Sequence, residues 1–414
     1  MSANCNALID HVSSSARSLP LVSGRMLQVT RSFGPYILGD DGIRYVDTAM
    51  GFGGTILGHA PAYVVEACTE ALRNGPLPAF SHAGEERAAT ALARQMGPLD
   101  RVIFNNSGSE AVHLATRIAR SVTGRRRVAK MAAGYDGWFD DVSLGTVSTP
   151  DAAFHDQHRP TNDHTTLLRF NDFGDVDRLF AETEDIAAVL FEPMLANAGC
   201  IMPAPGYLAH VQTVARRHGA LLIADEVLMG FRLHAGLTSH LFGLDPDLAT
   251  LGKAMASGIA AAAVAGRAAV MDRYHAQGGS RAGTYSGNPV ACAAVEATMA
   301  ALATADYPAL LVRGESLRHT IEARFAAVGL PVKTSGYGSV FSPWFHPAAP
   351  ATYDEAARMA DADLSMALHL HLRAHGMLVM PSPYGRLYNS FAHDDEAYAA
   401  MHHAIGAAAR AMAP

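Results

Sequence analysis

The chain has 414 residues and a formal net charge of −7 at pH 7, and 49% of its residues are hydrophobic against 17% charged. This composition excludes a disordered chain, and the length suits one large enzyme core with a smaller lobe, or two to three domains of roughly 150 residues each. The mild acidity and the near absence of basic clusters disfavour nucleic acid binding.

The cysteines and the apolar runs indicate in which cellular compartment the protein is expected and whether it spans a membrane. Four cysteines lie far apart with no C-x-x-C pair, which predicts neither a disulfide framework nor a cysteine zinc site. The longest purely apolar run, residues 259–265, is far shorter than the roughly 20 residues that a membrane span needs. We therefore expect a cytoplasmic protein that does not span a membrane.

The predicted elements begin with a polar arm and a hairpin. The hairpin is indicated by two alternating apolar segments on either side of Asp40-Asp41-Gly42, which is a strong turn signal. Helical patterns follow at about 62–74 and 84–96, and then short apolar runs alternate with helical stretches. The clearest of these runs are residues 101–104, 187–191 and 221–224.

Continuous apolar strands that alternate with helices indicate a mainly parallel sheet covered by helices on both faces. We therefore predict an α/β fold whose large domain spans residues 46–285. The N-terminal arm and hairpin (1–45) and a C-terminal α+β segment (286–414) are predicted to form a smaller domain together.

Ligands bind beyond the carboxyl ends of the strands in open α/β sheets, so the polar residues at these ends are candidates for ligand binding. Ser107, Gly108 and Ser109 lie between the strand at 101–104 and a helical pattern. Uncovered backbone N–H groups at the start of a helix bind anions such as phosphate. The simpler alternative is that Ser107 or Ser109 only caps the helix.

Two further strand ends carry ionisable side chains. Asp225 ends the strand at 221–224, where a buried carboxylate is costly unless a cation meets it. Lys253 stands in an apolar, glycine-flanked segment, in which burial would lower its pKa and make it a nucleophilic amine. The simpler alternatives are a helix-capping aspartate and a surface lysine. Together with the phosphate-binding turn and the aromatic Tyr135, however, the two residues supply the parts that pyridoxal 5′-phosphate requires.

These residues belong to a series of motifs that runs through nearly the whole chain. The motifs are ILGHA (56–60), NNSGSEA (105–111), GYDG (134–137), FEP (191–193), DEVLMGFR (225–232), LGK (251–253), GTYSGNP (283–289) and MPSPYG (380–385). In this order they resemble the class III, fold-type-I aminotransferases that depend on pyridoxal 5′-phosphate. Within that family, the chain most resembles the glutamate-1-semialdehyde aminomutase-like branch.

The resemblance implies a role for each residue around the cofactor ring. Lys253 matches the Schiff-base lysine of the family, and Asp225 matches the partner of the pyridine nitrogen. Tyr135 matches the aromatic residue that stacks on one face of the ring, and Val227 matches the apolar residue on the opposite face.

The resemblance also implies how the phosphate is bound. Gly108 and Ser109 match the phosphate-binding pair of the family, with Ser107 beside them. Thr284 matches a threonine that reaches the phosphate from the neighbouring subunit. A homodimer with composite active sites is therefore implied.

Several positions depart from the family pattern. Asp136 stands where the family commonly has histidine in Tyr-His-Gly, and alanines replace glycines and a proline in the segment 254–267. The aminomutases carry a glutamate after Pro-Ser-x-aromatic, whereas this chain has Arg386 close to that position. Arg386 suits a substrate carboxylate, or alternatively pairs with Asp394 or Asp395.

The remaining polar candidates have weaker patterns. Arg25 is a candidate for the carboxylate-binding arginine of the aminomutases, and Glu192 either contacts the site or serves as a cap or ion-pair partner. The histidines lack companion ligands at zinc-site spacing, so no metal is predicted. These histidines are His155, His158, His164, His369, His371 and His375.

The leading hypothesis is an aminotransferase that moves an amino group between an amino acid or amine and a keto acid or aldehyde. The alternative is an intramolecular aminomutase, or another reaction at the same cofactor in a biosynthetic pathway. A nucleotide-binding dehydrogenase is disfavoured because no G-x-G-x-x-G motif follows a strand.

Overall fold

The computed structural model describes residues 7–22, 24–154 and 159–414. The first strands are β1 (Val29–Phe33), β2 (Tyr36–Gly39) and β3 (Arg44–Asp47), and each pairs antiparallel with the next. The turn between β2 and β3 contains Gly42, whose φ of +79° is a left-handed conformation that glycine adopts at little cost. The predicted hairpin is thus confirmed.

A seven-stranded sheet follows within the described residues, and every strand predicted in this region is part of it. Its strands are β4 (Arg101–Asn105), β5 (Arg127–Met131), β6 (Thr165–Leu168), β7 (Ile186–Phe191), β8 (Leu221–Asp225), β9 (Leu248–Leu251) and β10 (Ala262–Gly266). They lie side by side in the order β4, β10, β9, β8, β7, β5, β6.

The sheet is mixed rather than purely parallel. Strands β6, β5, β7, β8 and β9 run parallel to one another, whereas β10 runs antiparallel to both β4 and β9. This order places the carboxyl ends of the parallel strands along one edge. The amino end of β10 joins them there, because Ala262 pairs with Asn105 at the end of β4.

The helices are α1 (Met50–Gly53), α2 (Ala62–Arg73), α3 (Ala83–Ala93), α4 (Gly108–Thr123), α5 (Asp140–Ser143), α6 (Phe173–Glu182), α7 (Tyr207–Arg217), α8 (Thr238–Leu241), α9 (Ala268–Ala276), α10 (Pro289–Leu302), α11 (Tyr307–Ala326), α12 (Tyr353–Met359), α13 (Ala362–Ala374) and α14 (Asp395–Ala411). Those that pack on the central sheet cover both of its faces. Ala188 and Leu190 of β7 pack in the core shared with α4 and α9, whereas Val189 and Phe191 pack in the core shared with α6, α7 and α10. This two-sided burial explains why β7 is a continuous apolar run.

Strands from the C-terminal part form two smaller sheets. They are β11 (Lys333–Tyr337), β12 (Val340–Trp344), β13 (Met377–Leu378) and β14 (Leu387–Tyr388). Strand β13 pairs in parallel with β3 and so joins the N-terminal hairpin, while β11, β12 and β14 form a separate sheet. The predicted domain boundaries remain predictions. The boundary predicted between residues 45 and 46 falls inside β3. In the described part of the chain, no helix is both long and apolar enough to cross a bilayer.

Candidate active site

A cavity of about 290 Å³ lies at the carboxyl edge of the central sheet. Its lining residues end or follow strands β4, β5, β7, β8 and β9. Residues 259–261, which precede β10, also line it, because β10 is antiparallel and begins at this edge of the sheet. Most residues that the sequence singled out for the cofactor meet here. They are Ser107, Gly108, Ser109, Tyr135, Asp225, Val227 and Lys253.

Asp225 ends β8 and is buried in the wall of the cavity. Its Oδ1 accepts hydrogen bonds from the backbone N–H of Val227 (2.9 Å) and from the hydroxyl of Thr250 (3.1 Å). Its Oδ2 is also buried but has no hydrogen-bond partner among the described residues. Burial, reinforced by the carboxylates of Asp136 and Glu192, raises the pKa of Asp225 well above its ordinary range. A cationic hydrogen-bond donor at Oδ2 would stabilise the ionised form.

Lys253 follows β9 at the start of a 3₁₀ turn (Lys253–Ala256). Its φ of +45° lies in the left-handed region, which residues with a side chain rarely adopt. Burial lowers the pKa of Lys253 to about 8, with Arg386 acting in the same direction and Asp225 opposing. An amine with this pKa is partly neutral near neutral pH and can act as a nucleophile or a base.

The amino end of α4 carries a helix cap and lines the cavity. The hydroxyl of Ser107 accepts a hydrogen bond from the backbone N–H of Glu110 (3.3 Å), and Glu110 accepts in return from the N–H of Ser107 (3.0 Å). The capping alternative is therefore correct for the side chain of Ser107. A Cβ at Gly108 would lie 2.9 Å from Val227, so the close approach of these two walls requires glycine.

The loop after β5 carries Tyr135, Asp136 and Gly137 into the cavity wall. Gly137 packs against Ser109, since a Cβ there would lie 2.9 Å from the hydroxyl oxygen of Ser109. The side chain of Asp136 is buried, and its Oδ2 lies 3.0 Å from the ammonium nitrogen of Lys130. The ring of Tyr135 is half-exposed at the mouth of the site.

Glu192 follows β7 and proves to be part of the cavity wall, so it contacts the site rather than only capping a helix. Its Oε1 accepts from the backbone N–H of Tyr135, and its Oε2 accepts from that of Ala196, both at 3.2 Å. Burial, with a further contribution from Asp136, raises the pKa of Glu192 to about 7. Glu192 thereby links the loop after β5, which carries Tyr135, to the loop after β7.

Arg386 has different partners from the predicted alternatives. Its Nε donates to the hydroxyl of Tyr388 (2.7 Å), and one terminal nitrogen donates to the carbonyl of Ala196 (3.1 Å). Asp394 instead caps α14, and Asp395 forms an ion pair with Arg313 at 2.8 Å. The suggested pairing of Arg386 with either aspartate is wrong, because both carboxylates are already engaged at the start of α14.

Three predicted residues do not line the cavity in this chain: Arg25, Thr284 and Arg386. Arg25 is exposed, and its guanidinium pairs with Asp40 at 2.8 Å. Thr284 is also exposed and does not line the cavity. His155 and His158 lie outside the described residues. His369 is buried, with its Nδ1 2.6 Å from the carbonyl of Val379, and the described residues include no cluster of three potential metal ligands.

Sequence reasoning missed some lining residues. Asn106, Asn197 and Leu228 contact the cavity, yet each stands in an ordinary polar or apolar context. Asn106 and Leu228 are adjacent in sequence to predicted site residues, and this adjacency is the only sequence feature that could have indicated them. No sequence feature indicates Asn197, because the path of the loop after the FEP motif is set by tertiary packing.

The residues present fit pyridoxal 5′-phosphate. The unpartnered Oδ2 of Asp225 suits a protonated ring nitrogen, which brings the positive charge that this buried carboxylate lacks. The start of α4 suits the phosphate, and Lys253 offers an amine at the same cavity. Val227 and Tyr135 offer an apolar and an aromatic surface for the ring.

The fold and this site define a fold-type-I transferase, as the sequence predicted. The chain belongs to the class III aminotransferase family, because the family model described as Aminotransferase class-III matches residues 21–327. A glutamate-1-semialdehyde 2,1-aminomutase of Nitratidesulfovibrio vulgaris (strain DSM 19637 / Miyazaki F) is 35% identical over 404 residues, which cover 94% of this chain and 93% of the relative.

Solved structures agree with this assignment. An omega-transaminase from Sphaerobacter thermophilus has a TM-score of 0.84 at 29% identity, covering 93% of this chain and 91% of its own. A glutamate-1-semialdehyde aminomutase from Pseudomonas aeruginosa PAO1 also has a TM-score of 0.84, at 27% identity, and the coverages are 92% and 87%. A structure described as a transaminase with PLP bound has a TM-score of 0.85 at 27% identity, and the coverages are 97% and 93%. The predicted family and enzyme class are confirmed, and both the aminotransferase and the aminomutase hypotheses agree with these relatives.

Proposed function

We propose that this protein is a pyridoxal 5′-phosphate-dependent aminotransferase that moves an amino group between an amino acid or amine and a keto acid or aldehyde. The observation that carries the proposal is the pairing, at one cavity, of a low-pKa lysine with a buried carboxylate whose second oxygen lacks a partner. The cofactor, when bound, supplies an aldehyde that captures amines and a ring that withdraws electrons.

The residues of this chain hold the cofactor and move protons. Backbone N–H groups at the start of α4, with Ser109, bind the phosphate, and Asp225 accepts a hydrogen bond from the ring nitrogen. Val227 and Tyr135 contact the two faces of the ring. Lys253 Nζ would take a proton from the substrate carbon that bears the amino group and release it to the former aldehyde carbon of the cofactor, and its pKa of about 8 suits both transfers.

The homodimer belongs to the same proposal. Thr284 is exposed in this chain and completes the phosphate site of the partner subunit. Large apolar side chains also face solvent in the single chain, with Phe80 84% exposed and Tyr285 61% exposed. Such surface suits burial against a second copy. The enzyme acts in the cytoplasm.

Composite sites are tested by mixing two impaired variants, Lys253→Ala and Thr284→Ala. Dimers that exchange subunits contain one site with both native residues, so activity above either parent is expected. A mixture that stays at the level of the parents after verified subunit exchange would contradict the composite site.

We propose that Arg386 binds a carboxylate of the substrate. Its guanidinium lies close enough to Lys253 to lower the pKa of that amine. It bonds to a hydroxyl and a carbonyl rather than to an acidic side chain, so its charge is available to an anionic ligand. Arg25 is engaged with Asp40, and we assign it no role at the site.

An intramolecular aminomutase is the second candidate, because a relative with that name is 35% identical over 94% of this chain. The test loads the protein with pyridoxal 5′-phosphate and adds amino donors without an acceptor. A transferase releases at most one equivalent of carbonyl product per site and turns over only after an acceptor is added. Sustained isomerisation without acceptor would favour the aminomutase, and no amine consumption with any donor would contradict both.

A further inference from the structure

Lys130 is a buried lysine outside the group of residues discussed so far for catalysis. It lies in β5, and its side chain is fully buried, which is unusual for a lysine. A buried ammonium group is costly unless hydrogen bonds and a counterion surround it. The partners of this ammonium group must therefore be held close to it.

The ammonium of Lys130 is surrounded by one segment of the chain, residues 134–144, which we term the Tyr135 loop. It donates hydrogen bonds to the carbonyl oxygens of Gly134 (3.1 Å), Val142 (3.0 Å) and Leu144 (3.3 Å). The carboxylate of Asp136 lies 3.0 Å away and is the counterion. The two ends of the loop thus converge on a single nitrogen atom.

The Tyr135 loop forms part of the cavity. Tyr135, Asp136 and Gly137 line it, and Gly137 is packed directly on Ser109. The position of the loop therefore sets both the aromatic surface at the mouth and the space next to the phosphate site. A shift of the loop would move these two features together.

We propose that Lys130 is a positioning residue for the cofactor site, in which its buried ammonium, with Asp136 as counterion, holds the Tyr135 loop in the conformation that binds pyridoxal 5′-phosphate. The inference rests on the proposed function, because it assigns the loop to cofactor binding. Lys130 does not touch the reacting atoms, and its effect passes through the loop.

The test compares Lys130→Met with the double variant Lys130→Met/Asp136→Asn. Hydrogen exchange of residues 134–144 is measured in the cofactor-free protein, and the dissociation constant of pyridoxal 5′-phosphate is measured by dialysis. We expect faster exchange in the loop and a dissociation constant raised by about tenfold or more in both variants, as is typical when a residue that orients a binding group is lost.

The double variant separates positioning from folding. It leaves no unpaired buried charge, so its thermal midpoint should recover toward the wild-type value, whereas the loop still lacks its donor and binding stays weak. Asp175→Asn is the matched control, since Asp175 is a buried carboxylate paired with Arg159 at 2.9 Å and lies outside the cavity wall. It should lower the thermal midpoint without changing cofactor affinity.

If the double variant exchanges its loop amides at the wild-type rate and binds the cofactor with the wild-type affinity, the proposal is overturned. A double variant that does not fold would also overturn it, because Lys130 would then be needed for folding rather than for positioning. Failure of the wild-type protein to bind pyridoxal 5′-phosphate would refute the proposed function, while exchange in the cofactor-free variants would still report whether Lys130 holds the loop.

Discussion

The surroundings of Lys253 divide into an acidic side and a basic side. On the acidic side, the buried carboxylates of Asp225 and Glu192 face the cavity at the ends of β8 and β7. On the basic side, the guanidinium carbons of Arg232 and Arg386 lie 5.1 Å and 6.0 Å from the ring centroid of Tyr388.

The two sides are built in different ways. Asp225 ends β8 and Glu192 directly follows β7, so the central sheet positions both carboxylates, which accept hydrogen bonds from backbone N–H groups of the loops that follow the strands. Arg386 stands on the C-terminal segment before β14, and its hydrogen bonds go to a carbonyl and to Tyr388. Sites on regular elements are held more rigidly than sites on loops. We infer that the acidic side serves the cofactor, which is constant, and that the basic side serves the substrate, which differs between enzymes.

The largest effect is expected on the acidic side, from Asp225→Asn. Asparagine cannot stabilise a positive charge on the ring nitrogen, so kcat should fall by about 10³-fold, the size seen when a preorganised electrostatic contact is removed. Steady-state kinetics at saturating cofactor measure this. Asp247→Asn is the control, because Asp247 accepts from the N–H of Leu222 at the start of β8, at the opposite edge of the sheet. Equal losses in the two variants would contradict the assignment.

Glu192 should make stability depend on pH. Burial raises its pKa from the ordinary value of 4.5 to about 7, so the folded state binds a proton that the unfolded state has released. The resulting stabilisation is complete below about pH 4.5 and is lost as the pH rises through 7, and its full size is about 3 kcal/mol. Urea unfolding of the cofactor-free protein at pH 5 and pH 8 should show this loss. Glu192→Gln lacks this contribution, so its free energy of unfolding should decrease less between pH 5 and pH 8 than that of the wild-type protein, by about the size of the Glu192 contribution. The same pH dependence in the variant and the wild-type protein would refute the raised pKa.

The smallest effect is expected on the basic side, from Arg386→Ala. Loss of a charged hydrogen bond should lower kcat/KM for an amino acid donor by about 10- to 100-fold, and change it little for the matched amine that lacks the carboxylate. Arg25→Ala is the control and should affect neither donor. Equal losses for both donors would remove the proposed role of Arg386.

The acidic side could be predicted from the sequence for a physical reason. Parallel strands bury both faces, so a charged residue such as Asp225 at the end of an apolar run is conspicuous. The same apolar character hid the direction of β10, because an alanine-rich run looks alike in a parallel and an antiparallel strand. Lys130 was missed because it stands inside a strand, where its partners come from a loop that follows.

The basic side was predicted only in part. Arg386 was conspicuous as a departure from a family pattern, but its partners were mistaken because they depend on the approach of the loop after β7, 190 residues earlier in the chain. Arg25 could not be separated from Arg386 by sequence, since only the structure shows its pairing with Asp40. Contacts between distant segments are set by packing of the whole fold rather than by local pattern.

The most direct test of the account is to reduce the cofactor-loaded protein with borohydride and to identify the lysine that carries the pyridoxyl group by peptide mass spectrometry. Three lysines are present in the chain: Lys253 at the cavity, Lys130 buried in β5 and paired with Asp136 of the Tyr135 loop, and Lys333 paired with Glu322 on the surface. The account predicts stoichiometric label on Lys253 and none in Lys253→Ala. Label on Lys130 or Lys333, or undiminished label in Lys253→Ala, would contradict it.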